Sequence, residues 1–497
     1  MLANKGVSLR LALGQPPHTA HMDQTGVFIQ DDWHVTRSLV LNLGLRYDYY
    51  SAISFKATSS APAEIVNLEN PTDLSKMNFG PPTDPLHPTG PDSVFGPRGG
   101  FAWTLGESGA TVVRGGVGIF STSPVLAAQQ NAIANPYIPV RKDWNATEMA
   151  SKKLVWPMYS EDAEAVAIAD AAGNKQYYYL IQTDLKSPRA VTATLDVQQQ
   201  IGQRGMVSAT YVYNRGRSFP MIRTFAMAFD RETGARPNPA VVPGGWYITS
   251  NGYIDYNALE ANGRLRAFHG LDLSVHYTLA KGWAQQGGDM NSNFSTTPGN
   301  YQNTQDFFNP DIDVDRTLVS SGNRHRLIAT AVWDIPWLAH RTDMLGVLLG
   351  GWQISSVVNI RSGDPLRLSQ SSGMPQSRPD YNGGNQVFSN WHDTLLYLDR
   401  SAYPLVPTYA ATKATQRPGT QNASQVFGPS RSRLDMTAAK WFKLSKGMRV
   451  QARFEVFNVF NWTLYNNPNT SITSADFGKI TSSTGERAAT IGVRFEF

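Results

Sequence analysis

The sequence predicts an all-β protein, an antiparallel transmembrane β-barrel, from three observations. Apolar and polar residues alternate with a period of two over many segments, which is the spacing of the two faces of a β-strand. The predicted strands are about 9–13 residues long, close to the length that a tilted strand needs to cross a bilayer. Short and long connections follow one another in turn, as turns and loops do on the two sides of an outer-membrane barrel.

The composition agrees with a β-rich chain that has long loops. Aromatic residues make up 11% and charged residues only 17% of the 497 residues, with 42 glycines and 30 prolines. The chain has no cysteine, which excludes disulfides, zinc–thiolate sites and cysteine nucleophiles. The formal net charge of +5 is small for this length and no block of Lys and Arg is present, so no nucleic-acid partner is expected. No apolar run approaches the roughly 18–20 residues of a membrane-spanning helix.

The alternation is clearest at residues 41–49, where Leu and Tyr occupy the odd positions and Asn, Gly, Arg and Asp the even ones. Extending this reading along the chain predicts about fourteen strands, at 5–13, 27–36, 38–50, 99–106, 110–120, 189–201, 205–216, 255–268, 271–281, 324–334, 348–361, 431–443, 448–460 and 488–497. A water-soluble sandwich also alternates, and strand length and loop rhythm favour the barrel over it.

The connections set the orientation. Short turns are predicted at 36–38, 107–109, 202–205, 269–270 and 444–447, and long segments at 51–98, 121–188, 217–254, 282–323, 362–430 and 461–487. One connection of intermediate length, 335–347, falls where a short turn is due. If the chain ends in the periplasm, every long segment is extracellular and every short turn periplasmic.

Aromatic residues lie near the predicted strand ends, as in the interfacial belts of membrane barrels. They are Trp33, Tyr47, Tyr49, Tyr50, Phe120, Tyr211, Tyr213, Trp333, Trp337, Trp352, Trp441, Phe442, Phe457 and Phe460. The general β-propensity of aromatic residues is the alternative explanation.

Several motifs occur in an order that resembles the barrel of TonB-dependent outer-membrane receptors, in particular the Oar-like branch with a carboxypeptidase-regulatory-like domain. They are Gln30-Asp31-Asp32-Trp33, the run from Leu41 to Asp48, the run from Phe95 to Trp103, the run from Asn323 to Leu327, the run from Gly351 to Ser355, the run from Ser362 to Leu366, the run from Phe454 to Asn461, and the run from Phe477 to Ile480. The resemblance covers roughly residues 25–497, and the order and spacing of the motifs carry it more than any single one does.

The resemblance implies a barrel of about twenty-two strands around an N-terminal plug, whereas this chain offers about fourteen. We therefore expect a fragment: a strand remnant of the truncated barrel at 1–26, the C-terminal part of the barrel at 27–497, and no plug. The segment from Val7 to Leu13 is interrupted by Arg10 and does not read as a signal peptide. Contact with the TonB complex would then require the missing N-terminal region.

Enzymatic motifs are not found in the sequence. A His-Glu-x-x-His metal motif, a Gly-x-Ser-x-Gly elbow and a phosphate-binding glycine loop are all missing, so we expect neither catalysis nor a cofactor. His276 and His325 read as lumen or rim residues rather than metal ligands. Asp311, Asp313 and Asp315 have the spacing of a calcium loop, but Arg316 replaces the required glycine.

A glycine-rich segment and the C-terminal segment complete the prediction. Gly115, Gly116 and Gly118 lie inside an alternating strand, so they are expected to ease curvature or allow close backbone approach rather than to bind phosphate. Apolar residues also alternate with other residues up to the end of the chain. We predict that these apolar residues are an assembly signal for the outer-membrane assembly machinery: Ile491, Val493, Phe495 and Phe497. A plain terminal strand is the alternative.

The leading hypothesis is a receptor or transporter in the outer membrane of a Gram-negative bacterium, with lipid and an unknown extracellular ligand as partners. Its lumen-facing candidates are Arg46, Asp48, Arg264, Arg266, Asp272 and Arg453. The alternatives are a plugless passive pore, a non-functional barrel fragment, and a secreted all-β binding or hydrolytic protein.

Overall fold

The computed structural model describes the chain at 9–13, 20–52, 54–55, 65–66, 78–79, 91–123, 140–144, 146–151, 179–181, 185–224, 246–285, 304–305, 317–318, 323–370, 378–408, 419–421, 426–444 and 447–497.

Thirteen long strands form one antiparallel sheet, in which each strand pairs with the strands before and after it in sequence. The strands are β1 (Gln24–His34), β2 (Leu39–Tyr50), β3 (Asp92–Leu105), β4 (Thr111–Ser121), β5 (Arg189–Ile201), β6 (Gly205–Thr224), β7 (Trp246–Phe268), β8 (Leu271–Gln285), β9 (His325–Asp334), β10 (Trp352–Arg361), β11 (Arg431–Lys443), β12 (Arg449–Phe457) and β13 (Ala488–Glu496). Three short strands extend the sheet, Tyr179–Ile181 on β7, Thr304–Gln305 on β6 and Thr317–Leu318 on β8. This up-and-down order is that of the predicted barrel.

The remaining elements are short. In the described residues the helices are α1 (Ala146–Ser151), α2 (Met344–Leu349), α3 (Trp391–Thr394) and a 3₁₀ turn at Arg400–Ala402. Paired strands outside the sheet are Leu9–Leu13 with Val140–Trp144, Ala20–His21 with Ser54–Phe55, Ile65–Val66 with Asn78–Phe79, and Leu464–Tyr465 with Ser483–Thr484. None of the helices described is long and apolar enough to cross a membrane.

The register places like residues side by side, so that the sheet has a polar face and an apolar face. On the polar face, for example, Thr210 lies opposite both Asp196 and Glu260. On the apolar face large side chains are open to the surroundings, with Leu43 49% and Leu195 47% exposed. A soluble monomer rarely exposes an apolar surface that continues from strand to strand, whereas a membrane barrel turns that surface to lipid.

The predicted rhythm of connections is confirmed. The chain between consecutive strands is short at 35–38, 106–110, 202–204, 269–270 and 444–448, and long at 51–91, 122–188, 225–245, 286–324, 362–430 and 458–487. In the tightest connection, between β7 and β8, His269 and Gly270 have φ angles of 50° and 83°. Positive φ at both central residues is the geometry of a two-residue type I′ hairpin turn.

The sheet differs from the prediction at its N-terminal edge. Residues 5–13 were expected to form a barrel strand, but Leu9–Leu13 pairs with Val140–Trp144 in a separate two-stranded sheet. Five residues extend only about 17 Å, which is too short for a tilted crossing of the bilayer. Among the described residues the main path of the sheet therefore has thirteen long strands, an odd number, where about fourteen were expected. Within the described residues β1 and β13 are its two ends and do not pair with each other.

Strands β6 and β7 are much longer than predicted, with 20 and 23 residues. Their added length is at the end of the long connections, where charged residues replace apolar ones on the apolar face. Where this added length begins, Arg217 Nη1 lies 2.8 Å and Arg215 Nε 3.7 Å from Oδ1 of Asp255. Because a tilted strand crosses the bilayer in about 9–11 residues, this charged cluster marks where the hairpin leaves the hydrocarbon.

Candidate functional site

The six lumen-facing candidates all lie on the polar face, but the structure places them in three separate groups instead of one site. Arg46 and Asp48 lie toward the end of the long connections, and Arg264, Arg266 and Asp272 lie around the β7–β8 turn. Arg453 lies on β12, four strands away from Asp272 on β8 in the sheet order. The shared face follows from the period of two, whereas the separation follows from the strand order.

Arg46 and Asp48 form a closed pair. The Nε atom of Arg46 donates to both carboxylate oxygens of Asp48 at 2.9 and 2.8 Å, and Nη2 donates at 2.7 Å. Asp48 is buried, and Ser121 Oγ donates to its Oδ2 at 3.4 Å. Gly26 lies opposite Asp48, and a Cβ there would be 2.5 Å from Nη2 of Arg46. The pair is held by its neighbours, as a buried charge must be.

Asp272 stabilises the β7–β8 turn. Its Oδ1 accepts a hydrogen bond of 3.1 Å from the backbone N–H of Ala267, which has a φ of 48°. The backbone N–H of Arg266 donates to the carbonyl of Arg204 at 2.9 Å. Arg266 therefore connects the β7–β8 turn to the neighbouring β5–β6 turn. Arg453 pairs with Glu455 at 2.5 Å on the same strand.

The end of the chain is held to β12 by an ion pair that no sequence motif indicates. Glu496 accepts from Arg449 on the neighbouring strand at 2.5 Å and pairs with Arg494 at 3.0 Å. The alternating residues of the predicted assembly signal lie on the apolar face, where Ile491, Val493 and Phe495 are 79%, 62% and 67% exposed. Phe497 lies one residue beyond the end of β13 and is fully exposed.

A groove with a glycine floor crosses the polar face of β1 to β5. It encloses about 330 Å³, and its floor includes Gly44, Gly100, Gly116 and Gly118. Its walls include Gln30, Arg98, Phe120, Thr192 and Thr194, with the Arg98 guanidinium 4.7 Å from the centre of the Phe120 ring. The prediction that Gly115, Gly116 and Gly118 belong to a strand is confirmed. On the apolar face a Cβ at Gly115 would lie 2.5 Å from the ring of Phe101, so that glycine allows a close approach.

The two connections with the most described residues fold together at one end of the sheet. We call the described parts of 362–430 and 458–487 the cap. Its buried core consists of Leu366, Leu368, Tyr397, Leu398, Ala402, Tyr403, Val426, Ile472, Phe477 and Ile480. Backbone hydrogen bonds join the two connections, from Tyr397 to Gly478 at 2.7 Å and from Ile480 to Leu395 at 2.8 Å. These loops therefore pack as a small folded unit.

Two tyrosines place hydroxyl groups inside the otherwise apolar core of the cap. Burial raises the pKa of Tyr397, and burial raises the pKa of Tyr403 further. Tyr397 Oη donates to the carbonyl of Phe427 at 2.8 Å. Among the residues that the structure describes, no partner lies within hydrogen-bonding distance of Tyr403 Oη. The two side chains thus share a core but differ in hydrogen bonding.

A polar cluster joins the cap to the sheet at the ends of β9 and β10. Asn323 Nδ2 donates to the carbonyl of Ser362 at 2.8 Å, and Arg361 Nη1 donates to Asp364 Oδ1 at 2.9 Å. A Cβ at Gly363 would lie 1.7 Å from the carbonyl oxygen of Gly428, so only glycine fits there. Two sequence motifs, 323–327 and 362–366, therefore meet here.

Asn458 performs a similar role where β12 leaves the sheet. It is almost fully buried, with a φ of 53°, a conformation that asparagine tolerates better than most residues. Its Nδ2 donates to the carbonyls of Trp462 and Gly485 at 2.8 and 2.6 Å. Its backbone N–H donates to Asp435 Oδ1 at 2.8 Å. The motif 454–461 thus contains the turn that starts the second half of the cap.

The histidines highlighted by the sequence lie apart from one another. His276 Nδ1 lies 2.8 Å from Asn262 Oδ1, and His325 Nδ1 lies 2.8 Å from the Tyr277 hydroxyl. In the part of the chain that the structure describes, no cluster of three His, Asp or Glu residues could hold a metal ion. The calcium-like spacing of Asp311, Asp313 and Asp315 lies outside the described residues.

Comparison with known proteins identifies the type of domain. A family model described as an outer membrane beta barrel domain matches residues 1–490. None of the curated proteins matches the chain significantly. The prediction of an outer-membrane barrel is confirmed by the family match.

Similar solved structures include three receptors or transporters. The closed form of the ferric-catecholate import receptor Fiu from E. coli K12 is 11% identical, with 96% of this chain and 45% of Fiu covered and a TM-score of 0.40. The copper transporter OprC is 10% identical, with 95% and 47% covered and a TM-score of 0.42. The FrpB iron transporter from Neisseria meningitidis is 13% identical, with 95% and 44% covered and a TM-score of 0.43. The chain spans less than half the length of each of these structures.

Proposed function

Because the chain belongs to the family of outer membrane β-barrel domains and lies in the outer membrane of a Gram-negative cell, we propose that it forms the barrel of a receptor that takes up a ligand across that membrane. In this proposal the cap and the long β6–β7 hairpin meet the ligand outside the cell. The polar face, with Arg46, Asp48, Arg264, Arg266, Asp272 and Arg453, lines its path.

The folded cap is the observation that carries the proposal. A passive pore needs an open mouth, and ordered loops with a buried core of their own add nothing to diffusion through it. A receptor needs a surface that keeps its shape before the ligand arrives, because preorganised groups lose less entropy on binding. The cap core and the Asn323–Asp364 cluster supply such a surface above the sheet.

We further propose that uptake depends on a TonB-type energising complex in the full-length protein. The support is the order of sequence motifs from Gln30 to Ile480, several of which have structural roles at the base of the cap. In this proposal residues 27–497 supply the barrel strands of that receptor.

The proposal can be tested on protein from its native outer membrane. Chemical cross-linking in cells is expected to capture the TonB protein together with the receptor. In planar bilayers the same purified protein is expected to carry no steady current, since a receptor opens only when energised. Steady ohmic channels without a TonB cross-link would establish a passive pore instead, and failure to reach a heat-modifiable folded form would indicate a non-functional fragment.

A further inference from the structure

The connection between β9 and β10 breaks the rhythm of the sheet. It lies at the end where the other turns are short, yet it spans 335–351 and contains α2. The alternation predicts a strand from residue 348, but α2 occupies Met344–Leu349 and β10 begins at Trp352. Neither the barrel nor the proposed uptake requires a helix at this position.

Helix α2 is held tightly to its own connection on one side only. Asp343 caps it by accepting from the backbone N–H of Gly346 at 3.1 Å. A Cβ at Gly346 would lie 2.2 Å from the carbonyl oxygen of Arg341, and one at Gly350 would lie 2.2 Å from that of Leu338. These glycines let the helix lie directly against residues 338–341.

The other side chains of α2 are apolar and project away from the protein. Met344, Leu345, Val347, Leu348 and Leu349 are 73%, 52%, 49%, 53% and 58% exposed. Five neighbouring exposed apolar residues in a single short helix would be unfavourable in water.

Lys440 shows on which face of the sheet the helix lies. It pairs with Trp352 and alternates with Ala438 and Met436 on the apolar face of β11. Its Nζ donates to the carbonyls of Gly346 and Gly350 at the end of α2, and the side chain is only 4% exposed. The helix therefore covers a lysine on the lipid-facing side. The lysine donates to the Gly350 carbonyl at the helix C-terminus, and to the Gly346 carbonyl, which also accepts from the backbone N–H of Gly350.

Tryptophan residues lie on both sides of α2 in sequence, at the ends of β9 and β10. Trp333 and Trp337 pack edge to face with ring centres 5.3 Å apart, and Trp337 is 66% exposed. Trp352 Nε1 donates to the carbonyl of Leu348 at 3.1 Å. Tryptophan is typical of the boundary between headgroups and acyl chains, so α2 lies at the depth of this belt.

We propose that α2 is an interfacial membrane anchor, which inserts its apolar side chains among the acyl chains of the leaflet next to the short turns. Its apolar surface continues the lipid-facing surface of the sheet, so the occupant that fits is lipid rather than a second protein. Lys440 and the tryptophan belt keep the helix at the headgroup boundary.

The test uses the absence of cysteine from the chain. Leu345→Cys and Leu348→Cys are labelled singly with an environment-sensitive fluorophore and reconstituted in phosphatidylethanolamine–phosphatidylglycerol vesicles. Glu107→Cys is the matched control, an exposed position in the short β3–β4 turn at the same end of the sheet. Heat-modifiable migration verifies folding, which is expected to be unchanged because all three side chains are exposed.

The α2 labels are expected to emit at shorter wavelength than the control and to be quenched by lipids that carry a spin label at a shallow acyl position. Emission equal to that of the control would overturn the proposal. The proposal would also be overturned by blue-shifted emission that the spin-labelled lipids do not quench and that shifts further as the protein-to-lipid ratio rises. The helix would then bind a second copy of the protein instead of lipid.

Discussion

Asn323 and Asp364 are 41 residues apart in sequence, yet Asn323 Nδ2 donates a hydrogen bond of 3.2 Å to Asp364 Oδ1. The same Oδ1 accepts from Arg361, so one carboxylate joins the start of β9, the end of β10 and the first residues of the cap. The cap is therefore attached to the sheet through a few specific polar contacts, and its stability can be changed without altering the barrel.

Asp364→Ala is expected to loosen the cap where it leaves β10. The change leaves the Asn323 amide and the Arg361 guanidinium without this acceptor, a loss of roughly 1–3 kcal/mol for partly buried polar groups. Hydrogen exchange of residues 362–370 should accelerate while that of β9 and β10 stays unchanged. Asn466→Ala, which removes one exposed hydrogen bond to Ser482, is the control, and equal exchange in both variants would contradict the prediction.

Tyr397→Phe and Tyr403→Phe are expected to have different effects although both side chains are buried in one core. Tyr397→Phe removes the hydrogen bond to the Phe427 carbonyl and should cost the cap about 1 kcal/mol. Tyr403→Phe removes a hydroxyl with no described partner and should leave stability unchanged or slightly raise it. Protease resistance of the cap in intact cells measures both, and a greater loss for Tyr403→Phe would refute the assignment.

High pH is expected to destabilise the cap. Burial raises the pKa values of Tyr397 and Tyr403 in the folded state, so folding favours their protonated forms. This contribution is complete below the pKa of an unfolded tyrosine, about 10, and is lost as the pH rises above it. Titration of tyrosinate absorbance should show a late component that appears together with loss of protease resistance. A Tyr403→Phe variant that keeps the whole late component would speak against this cause.

Gly363→Ala is expected to push apart the two ends of the connection 362–430 at the base of the cap. Its Cβ would overlap the carbonyl of Gly428, and since the obstacle is backbone, the chain itself must move. We expect increased cleavage within 362–430 in intact cells. Gly263→Ala on β7 is the matched control because a Cβ there has no described neighbour within 4 Å. Identical cleavage patterns would show that the cap base tolerates the added methyl group.

Deletion of Phe497 is expected to reduce assembly in the outer membrane several-fold. Phe497 makes no contribution to packing, since it lies beyond β13 and is fully exposed, so a loss would reflect recognition during assembly rather than stability. The readout is the fraction of protein with heat-modifiable mobility at the cell surface. Phe497→Trp keeps a terminal aromatic ring and should restore assembly, whereas normal assembly of the deletion variant would remove Phe497 from the signal.

Period-two alternation was sufficient to locate all thirteen long strands of the sheet, their polar and apolar faces and the rhythm of the turns. These are local properties, because successive residues of a strand always point to opposite faces. For the same reason the six lumen candidates could be assigned to one face, but their division into three groups depended on the order of strands in the sheet.

The sequence by itself determined that this chain is a membrane barrel, which end its long loops share, and that residues such as Arg46 and Leu45 face opposite sides. Only the tertiary structure decided that 362–430 and 458–487 fold as one cap, that Lys440 lies beneath α2, and that Leu9–Leu13 leaves the sheet. The physical reason is the sequence separation of the residues that interact. Alternation is set by neighbours along a strand, whereas a buried core and a shielded lysine arise from groups tens of residues apart, and no local pattern encodes which of them meet.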